Sequence, residues 1–132
     1  MGVKVLVTLI TPLLINSSCA QTATSCEAAA IHFEARGESV RGQRAILDVI
    51  RNRMRIDNRT ACQVIRARGQ FPWSEKYSFK SEKYSSKGLT QFNKIDNMES
   101  VLREDVYYFN TKKQNYGRYC CKIGKHYFNY LQ

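Results

Sequence analysis

The sequence predicts an α+β fold that is mainly helical, with a small β element near the C-terminus. Apolar side chains recur at helical spacing on both sides of Gly37, before residue 35 and again after Ser39, which can cap the second helix. The tail, residues 116–131, contains Gly124 as a turn residue and is interpreted as a short hairpin. With 132 residues, the chain has room for one domain. We expect the first two helices to form its core.

The first twenty residues are predicted to be an export signal. Residues 1–4 form a basic start, residues 5–15 form an apolar run, and Ser18, Cys19 and Ala20 are small residues at the positions that a signal peptidase reads. The apolar run is shorter than the ~20 residues that a transmembrane helix needs. We therefore expect cleavage after Ala20, a mature domain over residues 21–132 and a secreted or periplasmic location. Retention of the segment as a membrane anchor is the alternative.

Glu34 stands at the end of the first predicted helix. Residues 24–27 fit a capping box at the start of that helix, and Gly37 can supply a left-handed residue at its end. Glu34 then lies beside Phe33 in the last turn, where the helix dipole and partial desolvation both disfavour ionisation of the carboxyl group. A raised pKa is what a general acid requires. An exposed helix glutamate is the structural alternative.

Further elements are predicted between the second helix and the hairpin. Thr60 and Gln63 form a capping box for a short third helix. Residues 70–91 are polar and aromatic, and we interpret them as a long surface loop with a functional role. Asp96 and Glu99 are predicted to begin one more helix.

Cysteine usage predicts a disulfide in the exported domain. Four cysteines remain after cleavage at Ala20, namely Cys26, Cys62, Cys120 and Cys121. A bond between the adjacent Cys120 and Cys121 would be strained, so we expect Cys26 to pair with Cys62 or with one of the two late cysteines. The spacing of cysteines and histidines matches no common zinc pattern, and we expect neither a metal nor a cofactor.

The charge balance predicts attraction to polyanions. The chain carries 21 basic and 11 acidic residues, a net charge of +10. Nucleic acid, anionic lipid and an anionic cell wall would all be attracted to such a surface. A nucleic-acid-binding module is one alternative function, but the export signal and the absence of a recognisable nucleic-acid motif in the sequence argue against it.

Six short blocks occur in a characteristic order. They are CEAAAIHFEARGE at 26–38, GQRA at 42–45, VIRNR at 49–53, CQVI at 62–65, GQFPW at 69–73 and KIGKHYF at 122–128. Together they resemble the signature blocks of the SleB-type cell wall hydrolases, the spore-cortex-lytic enzymes and their relatives in bacteria and phages. The resemblance implies a lysozyme-like, transglycosylase-related fold and cleavage of the glycan strand of peptidoglycan. Tyr116 stands in for a tryptophan that is usual in the family.

The resemblance also implies that Glu34 is the catalytic acid. One carboxyl group is enough for lytic transglycosylation, in which it protonates the bridging oxygen and then removes a proton from the muramic acid 6-hydroxyl. A muramidase would use water instead, and the sequence leaves both open. Glu38 would lie on the same helix face as Glu34, so it is a poor second catalyst. We expect Glu38 to contact substrate, or to pair with Arg41 or Arg44.

Other polar and aromatic members of the blocks are predicted to bind the sugar. Amides and an imidazole can both donate and accept hydrogen bonds, and aromatic rings can stack on sugar faces. The predicted substrate-binding residues are Glu38, Gln43, Asn52, Gln70, Phe71, Trp73 and His126. Their structural alternative is that the amides tie helices together and the rings belong to the core. We expect a monomer that acts on peptidoglycan; a non-catalytic wall-binding protein on the same fold is the remaining alternative.

Overall fold

Five helices and one antiparallel sheet make up the part of the chain that the structure describes. This computed structural model describes residues 2–3, 18–76 and 82–132. The helices are α1 (Ser18–Ala35), α2 (Val40–Asp57), α3 (Ala61–Arg66), α4 (Pro72–Lys76) and α5 (Glu82–Ile95). The strands are β1 (Val106–Asn110), β2 (Tyr119–Ile123) and β3 (His126–Tyr130), in the spatial order β1-β3-β2. The α+β prediction is confirmed, whereas the bulk of the predicted export signal lies outside the described residues.

Helix α1 is longer than predicted at its start and ends differently. It begins at Ser18, so residues 24–27 lie inside the helix and do not cap it. The prediction of a left-handed Gly37 is also wrong, because the left-handed glycines are Gly69, Gly117 and Gly124. Only four residues join α1 to α2, and the turn closes when the Glu38 N–H donates to the Ala35 carbonyl at 2.9 Å.

Two predicted caps and one predicted disulfide are confirmed. Ser39 precedes α2, and its hydroxyl accepts the Gly42 N–H at 3.2 Å. Thr60 and Gln63 form the capping box of α3. The disulfide joins Cys26 to Cys62 and so ties α1 to α3. The remaining pair, Cys120 and Cys121, are free thiols whose Sγ atoms lie 2.7 Å apart beside an irregularity in the β2–β3 register.

The predicted loop over residues 70–91 is wrong, because α4 and the greater part of α5 occupy that stretch. Helix α5 buries Phe92 and Ile95, which lie three residues apart on one helix face. It packs closely on α1 at Gly88, where a Cβ atom would overlap the carbonyl oxygen of Ala28. The polar residues of α5 around these apolar positions are mostly exposed. Their number is the reason why this stretch of sequence resembles a surface loop.

The helix predicted from Asp96 is also wrong, since residues 96–105 form turns that lead into β1. A buried ion pair on α2 satisfies the backbone of this segment. Arg44 bonds Asp48 at 2.8 Å and donates to the carbonyls of Ile95 and Asp96, both at 2.8 Å. The other Asp48 oxygen accepts the N–H groups of Val101 and Leu102 at 2.7 and 3.0 Å. These bonds replace those that a helix would make.

The hairpin predicted around Gly124 is confirmed as β2 and β3. Its two strands pair with Ile123 opposite His126, and β1 adds to the other edge of β3 with Phe109 opposite Phe128. A single core cluster contains buried side chains of α1, α2, α3, α5 and the sheet, and Phe128 of β3 is fully buried within it. No helix within the described residues is both long and apolar enough to cross a membrane.

Candidate active site

Glu34 lies in a cleft of about 510 Å³ between the end of α1 and the sheet. The cleft is lined by polar and aromatic side chains. They come from the end of α1, from α2, from the α3–α4 connection, from β1 with the segment after it, and from β3. Its walls are formed by Glu34, Arg53, Gly69, Gln70, Pro72, Tyr108, Phe109, Asn110, Thr111, Tyr116 and His126. Among the described residues of this lining, Glu34 is the only carboxylic acid.

Aromatic side chains shelter the carboxyl group of Glu34. Trp73, on α4, donates its indole N–H to Glu34 Oε1 at 2.7 Å. The Trp73 ring stacks on Phe33 with centroids 4.5 Å apart, and it meets Phe71 edge-on at 5.9 Å. Burial raises the pKa of Glu34 above its ordinary value, and this effect exceeds the opposing effects of the Trp73 hydrogen bond and the positive charge of Arg53. The carboxyl group is therefore biased toward the protonated form.

Arg53 is the cation of the cleft, and the sequence analysis did not assign it to the site. Its side chain is 4% exposed, and its Nε donates to the Tyr107 carbonyl at 2.8 Å. The guanidinium lies over three rings, with its Cζ 5.1 to 5.6 Å from the centroids of Phe71, Tyr107 and Phe109. Burial lowers the pKa of Arg53. Its buried Nη1 has no hydrogen-bond partner among the residues described.

His126 and Glu38 form a buried pair at the other side of the cleft. His126 Nδ1 lies 3.3 Å from Glu38 Oε1, and each side chain is 7% exposed. The Lys125 N–H also donates to Glu38, at 3.2 Å. Burial lowers the pKa of His126, and this effect exceeds the opposing effect of the Glu38 carboxylate. The imidazole therefore favours its neutral form at pH 7. A neutral ring that donates from Nδ1 to Glu38 keeps Nε2 as an acceptor.

The carboxylate of Glu38 is thus paired with another residue of the protein, and Glu38 does not line the cleft. Within the described residues the partners of its carboxylate are His126 and the Lys125 backbone, and neither Arg41 nor Arg44 pairs with it. Arg44 pairs with Asp48 instead. The Glu38 carboxylate lies so close to Gly124 that a Cβ atom on that residue would overlap it. Glycine at position 124 therefore leaves room for the carboxylate.

The other predicted binding residues divide into two groups. Gln70 lines the cleft and is exposed, whereas Phe71 lies beneath it in the core, fully buried. Gln43 donates to the Glu38 carbonyl at 3.2 Å. Asn52 donates to the carbonyls of Arg103 and Val106 at 2.9 and 2.8 Å. These two buried amides bond to backbone within the protein, and contact between them and substrate stays a prediction.

Tyr108 and Asn110 line the cleft although no prediction from the sequence gave them a role. Tyr108 and Asn110 belong to β1, and Tyr116 follows it, with its ring 4.8 Å from that of Tyr108. Their place in the cleft depends on the pairing of β1 with β3, which no local pattern in the sequence indicates. The Tyr116 position was noticed as a substitute for tryptophan, and the structure places it on the cleft wall.

A sheltered carboxylic acid in a cleft lined with amide, imidazole and tyrosine side chains can serve in general acid–base chemistry. Residues 37–129, more than two thirds of the chain, match the cell wall hydrolase family. The chain belongs to the cell wall hydrolase family, and it is an enzyme that degrades peptidoglycan. The resemblance to the SleB-type enzymes is confirmed.

The family match covers Glu38 and His126 but begins three residues after Glu34. Membership of the family therefore does not depend on Glu34. No curated protein and no solved structure matches the chain.

Proposed function

We propose that the protein cleaves the glycan strand between N-acetylmuramic acid and N-acetylglucosamine, with Glu34 as general acid and then general base. One observation carries this proposal: the only carboxyl group among the described cleft residues is held by Trp73 at 2.7 Å and has a raised pKa. A protonated carboxyl group of this kind can donate to the oxygen of the glycosidic bond as that bond breaks.

The chemistry that fits one carboxyl group is lytic transglycosylation. Glycosidases that use water place a second carboxyl group ~5 to 9.5 Å from the first, on the opposite side of the bond. Glu38 is bound to His126 and to the β2–β3 turn, and no other carboxyl group lines the described cleft. After Glu34 has given its proton to the leaving oxygen, its carboxylate takes the proton of the muramic acid 6-hydroxyl. That hydroxyl oxygen attacks the anomeric carbon and forms a 1,6-anhydro ring.

Arg53 supports the second half of this reaction. Its positive charge lowers the pKa of Glu34 and so stabilises the carboxylate that exists between the two proton transfers. Burial alone would make that carboxylate costly to form. The opposing influences of burial and of Arg53 keep Glu34 able to act both as an acid and as a base.

Four other residues are suited to hold the sugar. Gln70, Asn110 and the neutral imidazole of His126 line the cleft with groups that can bond to hydroxyl and acetamido groups. The ring of Tyr116 is 44% exposed and offers a flat surface for a sugar ring. Trp73 acts on the reaction through Glu34, because its indole N–H is already bonded to that carboxyl group.

We also propose that the enzyme works outside the cytoplasm. The disulfide between Cys26 and Cys62 is compatible with an oxidising compartment, and the substrate of the family lies in the cell envelope. Residues 1–20 have the composition of an export signal, and the mature enzyme would then begin at Gln21.

Mass analysis of the products tests the proposal. Purified sacculi are digested with the wild-type enzyme and, in parallel, with Glu34→Gln as the blank. The expected products carry 1,6-anhydromuramic acid ends that are absent from the blank. Reducing muramic acid ends would show that water is the acceptor and would refute transglycosylation. Cleaved stem peptides with intact glycan strands would refute glycan cleavage altogether.

A further inference from the structure

We propose that a second, basic cavity beside the catalytic cleft binds the carboxylate groups of the peptide stems that branch from the glycan strand. This inference rests on the proposed function, because it assigns a substrate-recognition role to a region adjoining the same cleft. Through this cavity, the enzyme would prefer glycan strands that carry peptide stems over strands that lack them.

The cavity adjoins the cleft through two shared residues. It has a volume of about 260 Å³ and is formed by Arg53, Asp57, Arg59, Val64, Ala67, Arg68, Gln70 and Tyr107. Arg53 and Gln70 also line the catalytic cleft. The cleft and the cavity are therefore neighbours, close enough for one branched molecule to contact both.

The charges in the cavity favour an anion. Three arginines and one aspartate line the cavity, and that aspartate, Asp57, already accepts the Tyr107 hydroxyl at 2.6 Å. Within the part of the chain that the structure describes, the exposed side chains of Arg59 and Arg68 have no ion-pair partner. The cavity thus carries an excess of two positive charges that its own residues do not neutralise.

Arg53 adds a buried positive charge where the cavity adjoins the cleft. More than nine tenths of its side chain is buried, and its Nη1 has no acceptor among the described residues. Arg53 lines both the cleft and the cavity, and its positive charge therefore adds to the attraction of a carboxylate at the point where they meet.

Peptide stems are the carboxylate source that fits this position. A stem is attached to the lactyl group of muramic acid, the sugar on one side of the bond that Glu34 is proposed to break. Its carboxylates therefore stay near the cleft when the strand is bound. Arginine presents paired N–H donors that match the two oxygens of a carboxylate. A volume of about 260 Å³ is large enough for one short side chain with its carboxylate but small for a folded partner.

A selectivity ratio tests the cavity. The kcat/KM is measured on glycan strands with stems and on strands from which an amidase has removed the stems, and the first value is divided by the second. The double variant Arg59→Gln/Arg68→Gln is expected to lower this ratio roughly two- to thirtyfold, since two exposed charge pairs with the substrate are lost. The control Arg41→Gln removes a charge from an exposed arginine at the start of α2, outside the cavity. An equal fall of the ratio in this control would show general attraction to a polyanion and would refute the cavity.

A binding measurement separates this proposal from the proposed function. Calorimetry is carried out with a soluble stem tetrapeptide and with the same peptide after its carboxylates are amidated. Binding of the unmodified peptide that is weakened by amidation and by the double variant supports the cavity, even if no glycan bond is cleaved. In a second outcome, the wild-type enzyme cleaves glycan while the double variant keeps both the wild-type kcat/KM ratio and the wild-type affinity for the peptide. That result would refute stem binding by the cavity and leave the proposed function standing. Tighter binding of inorganic phosphate or of an oligonucleotide by the same arginines would also refute stem binding.

Discussion

Trp73 donates its indole N–H to Oε1 of Glu34 at 2.7 Å, and this bond joins the last turn of α1 to α4. Burial removes the Glu34 carboxyl group from water, and the bond to Trp73 in addition fixes its orientation. Stacking of the same indole on Phe33, at 4.5 Å, holds the donor in place. The pair therefore controls both the direction in which the proton of Glu34 points and the pH at which that proton is lost.

Replacing Trp73 by phenylalanine removes the hydrogen bond while keeping an aromatic ring against Phe33. Because this bond lowers the pKa of Glu34, its loss is expected to raise that pKa further. In a profile of kcat/KM against pH, the loss of activity at high pH should move to higher pH. The value at the optimum should fall by roughly 10- to 150-fold, since a hydrogen bond to a charged group contributes ~1.5 to 3 kcal/mol. A profile that coincides with that of the wild type would contradict the role of Trp73.

Gly124→Ala tests the placement of His126 by Glu38. Gly124 has a φ of +58°, and a Cβ atom on it would overlap the carboxylate of Glu38. Displacing that carboxylate removes the partner of His126 Nδ1, so kcat/KM should fall severalfold. The unfolding free energy should fall by about 1 to 3 kcal/mol because of the strained backbone. Urea denaturation and sacculus turbidity measure the two effects.

Gly37→Ala is the matched control for that variant. Gly37 lies in the turn between α1 and α2, does not have a positive φ, and has no atom within 4 Å of an added Cβ among the described residues. Stability and activity should both stay at the wild-type level. An equal loss in both glycine variants would mean that the effect of Gly124→Ala does not come from Glu38.

Asp48→Asn should be among the most destabilising single changes outside the cleft. Asp48 is 3% exposed, pairs with the buried Arg44 at 2.8 Å, and accepts two backbone N–H groups that hold the turns before β1. Removing its charge leaves Arg44 buried without a counterion, which costs about 3 to 5 kcal/mol. The exposed Arg103 and Asp105 pair provides the comparison, and Asp105→Asn should cost less than about 1 kcal/mol. Similar midpoints of urea unfolding for the two variants would refute this account of the turns.

Local signals in the sequence were sufficient for the elements that depend on neighbouring residues. Ser39 with Gly42, and Thr60 with Gln63, each form a cap from residues three positions apart, so the starts of α2 and α3 could be predicted. Gly124 likewise indicated the hairpin, because a turn with positive φ favours glycine. A raised pKa of Glu34 was expected from its position at the end of α1 beside Phe33, and burial raises that pKa in the folded chain.

Residues whose position depends on distant parts of the chain could not be predicted. Val101 and Leu102 look helical in sequence, but their N–H groups bond to Asp48 about fifty residues earlier. The strand that follows brings Tyr108 and Asn110 into the cleft, so the error over the helix also hid these two residues. Arg53 belongs to a block that resembles the family, yet its burial over three rings follows from the packing of α2 on the sheet.

Glu34→Gln should change stability in a pH-dependent manner. Because burial raises the folded-state pKa of Glu34 above 4.5, the folded protein holds this proton more tightly than the unfolded chain does. Ionised Glu34 therefore destabilises the fold above its folded pKa, and this cost disappears below pH 4.5, where the group is protonated in both states. The variant should be more stable than the wild type at pH 7, and the difference should vanish below pH 4.5. A less stable variant at pH 7 in urea denaturation would contradict burial as the dominant effect on Glu34.

The rate of glycan cleavage by Glu34→Gln tests the central claim most directly. The variant keeps the size of the side chain and an oxygen for Trp73, but it cannot donate or accept the reacting proton. On purified sacculi its kcat/KM should fall by roughly 10² to 10⁴. Its circular dichroism and its binding to sacculi should stay unchanged, and the exposed Glu99→Gln control should keep wild-type activity. Activity of Glu34→Gln within about twofold of the wild type, well short of that expected loss, would contradict the assignment of Glu34 as the proton donor.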